Sequence, residues 1–195
     1  MNTVDELTRY GIVNLVPILQ ADSMTYMENL FKTLKPKRIL EIGTAIGRTS
    51  IDAALTLPQS QVVTIEKDPE MARLARANIE KAGVADRVML IEGDALDVEV
   101  PEEEYDLIFI DAAKGQYQRF FEKYSPLLSL NGVIVSDNMN FHGLVDHPER
   151  THNRHTKGLI KRILRYREFL DQNEEFETTI LEIGDGLAIS RRKPC

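Results

Sequence analysis

Short and nearly uninterrupted apolar runs, rich in Ile, Val and Leu, recur along most of the chain. Strands that are covered on both faces of a sheet have this composition. The runs lie at residues 38–42, 62–66, 88–92, 106–111 and 132–137. Helical periodicity lies between most of them, at about 47–57, 69–82 and 116–128. This alternation predicts parallel βαβ units with right-handed crossovers.

The two ends of the chain depart from this alternation. Residues 1–34 predict two short helices, interrupted at Pro17. A predicted helix at 156–172 is followed by apolar runs at 176–183 and 186–192, joined by the tight turn GDG. Two strands so close in sequence pair antiparallel as a hairpin. The expected fold class is therefore α/β, a Rossmann-like seven-stranded sheet with one antiparallel strand and with helices on both faces.

Length and composition fit one domain over residues 1–195, with 43% hydrophobic and 28% charged residues, the balance of a globular protein. No basic segment followed by an apolar core opens the chain, and no apolar run is long enough to span a bilayer. The single cysteine, Cys195, excludes a disulfide framework and a cysteine-based zinc site. A cytoplasmic location without a membrane partner is expected.

The charge is unevenly distributed. The formal net charge is −7, yet residues 150–167 hold seven Lys or Arg and no acid, which leaves 17 basic against 31 acidic residues elsewhere. One side of the predicted helix there carries four basic residues that could grip a phosphate backbone. These candidate RNA-binding residues are Arg154, Lys157, Lys161 and Arg165. The alternative is a solvated basic face that pairs with acidic residues of the same protein.

Three predicted strands end in residues that suit a nucleotide. Ligands of open α/β sheets bind beyond the carboxyl ends of the strands. Gly43 and Gly47 follow the first strand, Glu66 ends the second, and Asp94-Ala95 follows the third. The glycine spacing does not match the dinucleotide pattern G-x-G-x-x-G. Each acid alone could be a solvated strand end or a helix cap, but the ordered set favours a cofactor that contains adenosine.

The fourth and fifth strands end in oxygen ligands. Asp111 ends one strand, and Asp137-Asn138 ends the next. If these strands are neighbours, two carboxylates and an amide oxygen converge, and such a set suits Mg²⁺ or a similar divalent ion. The alternative is that the segment SDN, residues 136–138, forms only a turn or a helix cap.

Several segments together resemble the metal-dependent O-methyltransferases, the group that includes the catechol and caffeoyl-CoA enzymes and has the class I methyltransferase architecture. The resemblance covers about residues 36–192 and rests on RILEIGTAIGRTS, VVTIEKDPEMARLARANIEKAG, IEGDA, FIDAAKGQY, SDNMNFHG and IGDGLAISRR. It implies S-adenosylmethionine as cofactor, N-terminal helices (1–35) that cover the cofactor side, and a homodimer.

The same resemblance implies roles for individual residues. It places the metal on Asp111, Asp137 and Asn138 and assigns catalysis to Lys114 and Asp111. The implied cofactor-binding residues are Glu41, Gly43, Thr44, Thr49, Glu66, Asp94, Ala95 and Asp111. In this chemistry a hydroxyl must lose its proton before it attacks the sulfonium methyl group, and Lys114 either takes that proton or stabilises the oxyanion.

The acceptor is expected to carry two adjacent oxygens, as a catechol and 5-hydroxyuridine both do. The segment NRHTKGLIKRILRYREFL is similar to that of bacterial tRNA 5-hydroxyuridine methyltransferases, which implies formation of 5-methoxyuridine in the tRNA anticodon. The alternative is methylation of a small catechol or a phenylpropanoid-CoA ester. A non-catalytic RNA-binding protein is the alternative of another class.

All four histidines lie between residues 142 and 155. No carboxylate-backed ligand spacing accompanies them, so a second metal site is not expected. They are expected on a mobile loop beside the substrate, where Phe141 could stack on a ring or a base.

Overall fold

The computed structural model describes residues 3–194. Met1, Asn2 and Cys195, the residue behind the expectation of no disulfide, lie outside this range. The seven strands are β1 Arg38–Ile42, β2 Gln61–Glu66, β3 Val88–Glu92, β4 Tyr105–Ile110, β5 Leu128–Ser136, β6 Phe176–Leu181 and β7 Leu187–Arg192. The six α-helices are α1 Thr3–Val13, α2 Ala21–Leu34, α3 Arg48–Thr56, α4 Pro69–Lys81, α5 Tyr117–Tyr124 and α6 Arg154–Asp171. None of the helices in this range is both long and apolar enough to cross a membrane.

All seven strands form one sheet in the order β3-β2-β1-β4-β5-β7-β6. Neighbouring strands from β3 to β5 pair in parallel, whereas β7 runs antiparallel to both β5 and β6. The predicted fold class is therefore confirmed. Strand order reverses between β1 and β4, which is the position where open α/β sheets bind their ligands.

The sheet is covered on both faces, as the apolar runs predict. Ile39, Leu107 and Val135 face one layer, which contains α1, α2, α3 and part of α4. Leu40 and Ile108 face the other layer, formed by α5 and α6. Each fully buried aliphatic side chain contributes about 1.5–3 kcal/mol to folding, and both central strands are buried over nearly their whole length.

Two helix boundaries differ from the sequence prediction for local reasons. The helix predicted at 116–128 is shorter, since α5 is flanked by 3₁₀ turns at Lys114–Gln116 and Ser125–Leu127. Pro126 lacks the N–H that a continuing helix would need. Helix α6 begins earlier than predicted because the Asn153 side chain caps it. This side chain accepts hydrogen bonds from the backbone N–H groups of His155 and Thr156.

The ends of β1 and β4 meet in a contact that only glycine permits. Gly43 has a φ of +100°, and a Cβ built on it would lie 2.0 Å from the carbonyl oxygen of Asp111. The Asp111 N–H donates to the Ile42 carbonyl at 2.9 Å, so the backbones are held together at this point. The contact brings the turn after β1 beside the acid that follows β4.

We predict that Gly43→Ala destabilises the protein more than Gly83→Ala does. Both glycines have positive φ, but a Cβ at Gly83 would meet nothing within 4 Å. Gly83→Ala should therefore cost only the left-handed backbone penalty, about 1 kcal/mol. Gly43→Ala should cost about 2–4 kcal/mol, because overlap with Asp111 is added. Urea denaturation measures both, and equal losses would contradict the importance of this contact.

Candidate active site

A cavity of about 1030 Å³ opens at the carboxyl ends of the parallel strands. The segment between α1 and α2 forms one wall through Asn14–Ile18, and the turns after β1, β2 and β3 form another. Its floor includes Asp111 and Asp137. The cavity is large enough for a nucleotide cofactor and a small acceptor group together. The sheet thus brings together residues that lie far apart in sequence.

Five of the predicted cofactor residues line this cavity: Gly43, Glu66, Asp94, Ala95 and Asp111. Glu66 is held by two backbone N–H groups, one of Ala45 at 2.7 Å and one of Asp68 at 2.8 Å. Asp94 accepts a hydrogen bond from Leu96 N at 2.9 Å and from Lys67 Nζ at 2.6 Å. The Lys67 ammonium lowers the pKa of Asp94, which keeps this acid ionised. These acids form an anionic wall with fixed orientation.

The other three predicted cofactor residues do not line the cavity. Glu41 alternates with Leu40 and Ile42 along β1, so its side chain enters the opposite layer of the sheet and is only 2% exposed. Thr64 Oγ1 donates to Glu41 Oε2 at 2.6 Å, and Thr44 Oγ1 lies 2.6 Å from Thr64 Oγ1. Thr49 faces the same layer as Glu41. A role of these three residues toward a cofactor rests on the resemblance and stays a prediction.

Glu41 is a neutral acid at neutral pH. Burial raises its pKa to about 8, and the hydrogen bond from Thr64 only partly opposes this effect. The nearby Asp111 raises the pKa further. The protonated form fits its surroundings, because a neutral carboxyl avoids the cost of an unpaired buried charge.

Two carboxyl groups lie close together at the predicted metal position, with Asp137 buried and Asp111 partly exposed. Burial and the neighbouring Asp111 raise the pKa of Asp137 to about 8. Burial likewise raises the pKa of Asp111 to about 6, while Lys114 opposes the shift. Asn138 Nδ2 donates to Asp137 Oδ2 at 2.8 Å, which leaves the amide oxygen of Asn138 available for a ligand. The structure thus brings the three predicted ligands and Lys114 together.

The donor set fits a hard divalent cation. Within residues 3–194 no cluster of three or more His, Cys, Asp or Glu side chains could hold a metal, and the predicted set has two carboxylates and one amide. In this range, Asp137 Oδ1 and the Tyr117 hydroxyl are buried without a hydrogen-bond partner. Burial and the surrounding carboxylates raise the pKa of Tyr117, so it stays protonated. An orphaned carboxylate oxygen is costly, and a cation would supply its partner.

Lys114 lies near Asp111 and also contacts the Phe141 ring. Lys114 opens the 3₁₀ turn that follows β4. Its Nζ lies 5.8 Å from the centre of the Phe141 ring, within the range of a cation–π contact. The His142 ring centre lies 5.3 Å from that of Phe141. Of these three residues, Lys114 and His142 line the cavity.

Asp185 is a site residue that the sequence analysis missed. The GDG motif predicted only a turn, yet Asp185 is 3% exposed and lines the cavity. Asn138 Nδ2 donates to its Oδ2 at 3.3 Å. The His142 Nδ1 lies 3.6 Å from Asp185 Oδ1. No sequence signal links residues so far apart in the chain.

The predicted basic stripe lies on the exposed side of α6. The four residues are Arg154, Lys157, Lys161 and Arg165. None of them lines the cavity or the smaller cleft beside Lys114, and none makes an ion pair within the part of the chain that the structure describes. Arg162 instead reaches the site. Its Cδ would lie 3.2 Å from a Cβ on Gly115, and it borders a cleft of about 470 Å³ beside Lys114. The sequence analysis did not select Arg162.

Comparison with known proteins gives matches over nearly the whole chain. The family model for O-methyltransferases matches residues 2–193. Caffeoyl-CoA O-methyltransferase 1 of Arabidopsis thaliana is 32% identical over 184 residues, which cover 88% of this chain and 70% of that protein. A Staphylococcus aureus crystal structure, provisionally assigned as a caffeoyl-CoA O-methyltransferase, is 36% identical with a TM-score of 0.95 and covers 99% of this chain and 93% of that one. The Bacillus cereus O-methyltransferase in complex with SAH is 28% identical with a TM-score of 0.82, covering 98% and 90%.

We predict that Glu41→Gln is increasingly more stable than the wild type as the pH rises. The folded protein keeps the Glu41 proton that the unfolded chain releases, so wild-type stability falls between the ordinary pKa of 4.5 and about 8. Gln imitates the protonated form and does not titrate. Within that window, the difference should grow by about 1.4 kcal/mol per pH unit.

Urea denaturation at about pH 5 and about pH 8 measures this difference. Glu80→Gln, at an exposed position of α4, is the control and should change little. A Glu41→Gln advantage that stays constant with pH would show that Glu41 is ionised.

Proposed function

Because the chain belongs to the O-methyltransferase family, we propose that it uses a divalent cation to methylate an aromatic hydroxyl that has a second oxygen beside it. The enzyme is an S-adenosylmethionine-dependent O-methyltransferase, in agreement with the SAH held by a structural neighbour. The alternative of a non-catalytic RNA-binding protein is therefore set aside. The cation and the acceptor are the proposed parts.

The observation that carries the cation proposal is the orphaned Oδ1 of Asp137. Asp111, Asp137 and Asn138 would hold the ion. When bound there, a divalent cation stabilises negative charge on an acceptor oxygen and so lowers the pKa of the hydroxyl. The buried position makes this electrostatic effect larger than it would be in water.

The protein side chains supply the rest of the chemistry. The acceptor oxygen forms a bond to the methyl carbon while the carbon–sulfur bond breaks, so the sulfonium becomes the thioether of SAH. Lys114 lies beside Asp111 at the cavity wall, and we assign it to the acceptor hydroxyl: as a neutral amine it takes the proton, and as an ammonium it stabilises the oxyanion, whose proton then leaves to solvent. The Phe141 ring provides an apolar face on which an aromatic acceptor can stack. Holding the two reactants in line contributes several kcal/mol.

For the acceptor we propose 5-hydroxyuridine in tRNA, which carries its 5-hydroxyl beside the 4-carbonyl oxygen. The support is the exposed basic side of α6, whose four predicted residues have no acidic partners within residues 3–194. Those charges remain available for a phosphate backbone. Arg162 extends the basic surface to the turn that carries Lys114.

A small catechol or a phenylpropanoid-CoA ester is the second candidate. It is favoured by the caffeoyl-CoA O-methyltransferase 1 of Arabidopsis thaliana, to which the chain is 32% identical. Arg162 and Lys114 could also bind the phosphates of a CoA ester. In that case the exposed side of α6 would be an ordinary solvated surface.

A cytoplasmic location and a homodimer also stay proposals. The exposed apolar side chains at the end of α1 support a partner surface, since Ile12, Val13 and Leu15 are 66%, 71% and 90% exposed. Light scattering of the purified protein gives its oligomeric state directly.

We predict that labelled methyl groups pass from S-adenosylmethionine to tRNA that contains 5-hydroxyuridine, and that chelator stops the transfer. Catechol and caffeoyl-CoA are tested in parallel. The double variant Lys161→Glu with Arg165→Glu should raise the KM for tRNA about tenfold or more, because phosphate contacts are replaced by repulsion.

The charge-matched control is Arg73→Glu with Arg76→Glu on α4, which should leave the KM for tRNA within about twofold. Label in a phenol alone would reject tRNA and favour the second candidate. Transfer that persists in chelator would reject the cation.

We also predict that Mg²⁺ or Mn²⁺ raises the Tm of the wild type by about 5–10 °C at a concentration of about 100 Kd. Asp137→Asn should abolish this shift, because it removes the carboxylate that lacks a partner. Without cation, the variant should be more stable than the wild type at about pH 8. The reason is that the raised pKa of Asp137 lowers the free energy of unfolding of the wild type as the pH increases from 3.8 to about 8.

Differential scanning fluorimetry gives both results. Asp171→Asn, at the exposed end of α6, is the control and should keep the cation shift. A full shift in Asp137→Asn would place the cation elsewhere.

A further inference from the structure

The turn Gly184–Asp185–Gly186 is packed more tightly than a hairpin requires. Both glycines have positive φ, +56° and +87°. A Cβ on Gly184 would lie 2.2 Å from Ser23 Oγ in α2, and a Cβ on Gly186 would lie 2.8 Å from Asn140 N. The turn is therefore wedged between the first turns of α2 and the loop that follows β5, residues 137–142.

That loop has a backbone that needs support. Asn138, Phe141 and His142 have φ values of +63°, +44° and +57°, the left-handed region that non-glycine residues rarely adopt. The turn supplies two backbone acceptors to the loop. Met139 N donates to Gly186 O at 2.9 Å, and Asn140 N donates to Asp185 O at 2.7 Å.

The Asp185 side chain adds contacts at both ends of the loop. Its Oδ1 accepts the backbone N–H of His142 and lies 3.6 Å from the imidazole Nδ1. Its Oδ2 accepts from Asn138 Nδ2 at 3.3 Å. A turn-forming Asp normally bonds to a backbone N–H two residues away and remains exposed, whereas Asp185 is buried and bonds to residues more than 40 positions away.

We propose that Asp185 is a positioning residue that holds Asn138 and His142 in place at the cavity. Through the Asn138 nitrogen it turns the amide oxygen toward the cation, and through His142 N it fixes the imidazole beside Phe141, where it contacts the acceptor. The part that concerns Asn138 rests on the proposed cation site. The part that concerns the loop stands on its hydrogen bonds alone.

Asp185→Asn tests this role with little change in volume. Asn offers only one acceptor oxygen, so it cannot serve both Asn138 Nδ2 and His142 N, and its own N–H₂ would oppose one of them. We expect the Kd for Mn²⁺, measured by electron paramagnetic resonance, to rise about 10–100-fold. Amide hydrogen exchange should accelerate in residues 138–142. The Kd for SAH, measured by calorimetry, should stay within about twofold, because Gly43, Glu66 and Asp94 are unchanged.

His142→Ala separates the two functions of Asp185. It should leave the Kd for Mn²⁺ unchanged and lower kcat/KM for the acceptor, since only the imidazole is lost. Asp171→Asn is the control and should behave as the wild type in every measurement. Asp185→Ser, which keeps one small acceptor, is the second variant if Asp185→Asn does not fold.

The outcomes separate this inference from the proposed function. If the wild type binds no Mn²⁺, the cation proposal fails, while local acceleration of exchange in Asp185→Asn still supports the role in the loop. If Asp185→Asn binds Mn²⁺ as the wild type does and exchange is unchanged, the inference is overturned. Weakened SAH binding with faster exchange throughout the protein would also overturn it, since Asp185 would then be a general structural residue.

Discussion

The close contact of β1 and β4 is the constraint on which the cavity depends. Gly43 and Asp111 occupy adjacent positions at the point where strand order reverses, and their backbones touch. The register of β4 with β5 then places Asp137 beside Asp111, with Asp137 N donating to Ile110 O at 3.1 Å. The cavity wall formed by the turn after β1 and the pair of Asp111 and Asp137 are therefore parts of one continuous backbone arrangement. A side chain at the glycine would separate them.

Buried acids at this end of the sheet are stabilised in different ways. Glu41 carries a proton and accepts a hydrogen bond from Thr64. Asp185 accepts hydrogen bonds from Asn138 and His142. Asp137 also has a raised pKa, of about 8, but its Oδ1 has no hydrogen-bond partner in the protein. Buried polar atoms without a hydrogen-bond partner in the protein call for an explanation. Two carboxylate oxygens within residues 3–194 are in this state, on Asp52 and Asp137, and only Asp137 lines the cavity beside Asp111.

The sequence pattern was sufficient for the fold and for much of the site. Continuous apolar runs define strands with two covered faces, and the ends of neighbouring parallel strands must share one edge of the sheet. That reasoning brought Asp111 and Asp137 together correctly. It did not extend to Glu41, whose direction follows from the alternation between Leu40 and Ile42. The assignment of Glu41 to the cofactor rests on the resemblance to a family and stays a prediction.

Asp185 and Arg162 could not be found in this way. The burial of Asp185 depends on a loop more than 40 residues away, and acids in tight turns are usually exposed. Arg162 lies at the edge of the basic side of α6, so its importance depends on which helix face meets the turn after β4. Periodicity gives the buried face of a helix but not the neighbours of its flanks.

The packing of Gly184 against Ser23 has a consequence for how the binding of one ligand affects the binding of the other. The segment that precedes α2 forms a wall of the cavity, and the turn that touches α2 also supports the loop at residues 137–142. A ligand that shifts this segment therefore changes the free energy of the loop. Because linkage is reciprocal, an acceptor that binds more tightly to the cofactor-loaded enzyme must tighten cofactor binding by the same factor. The two ligands would then be taken up cooperatively, although they touch different strands.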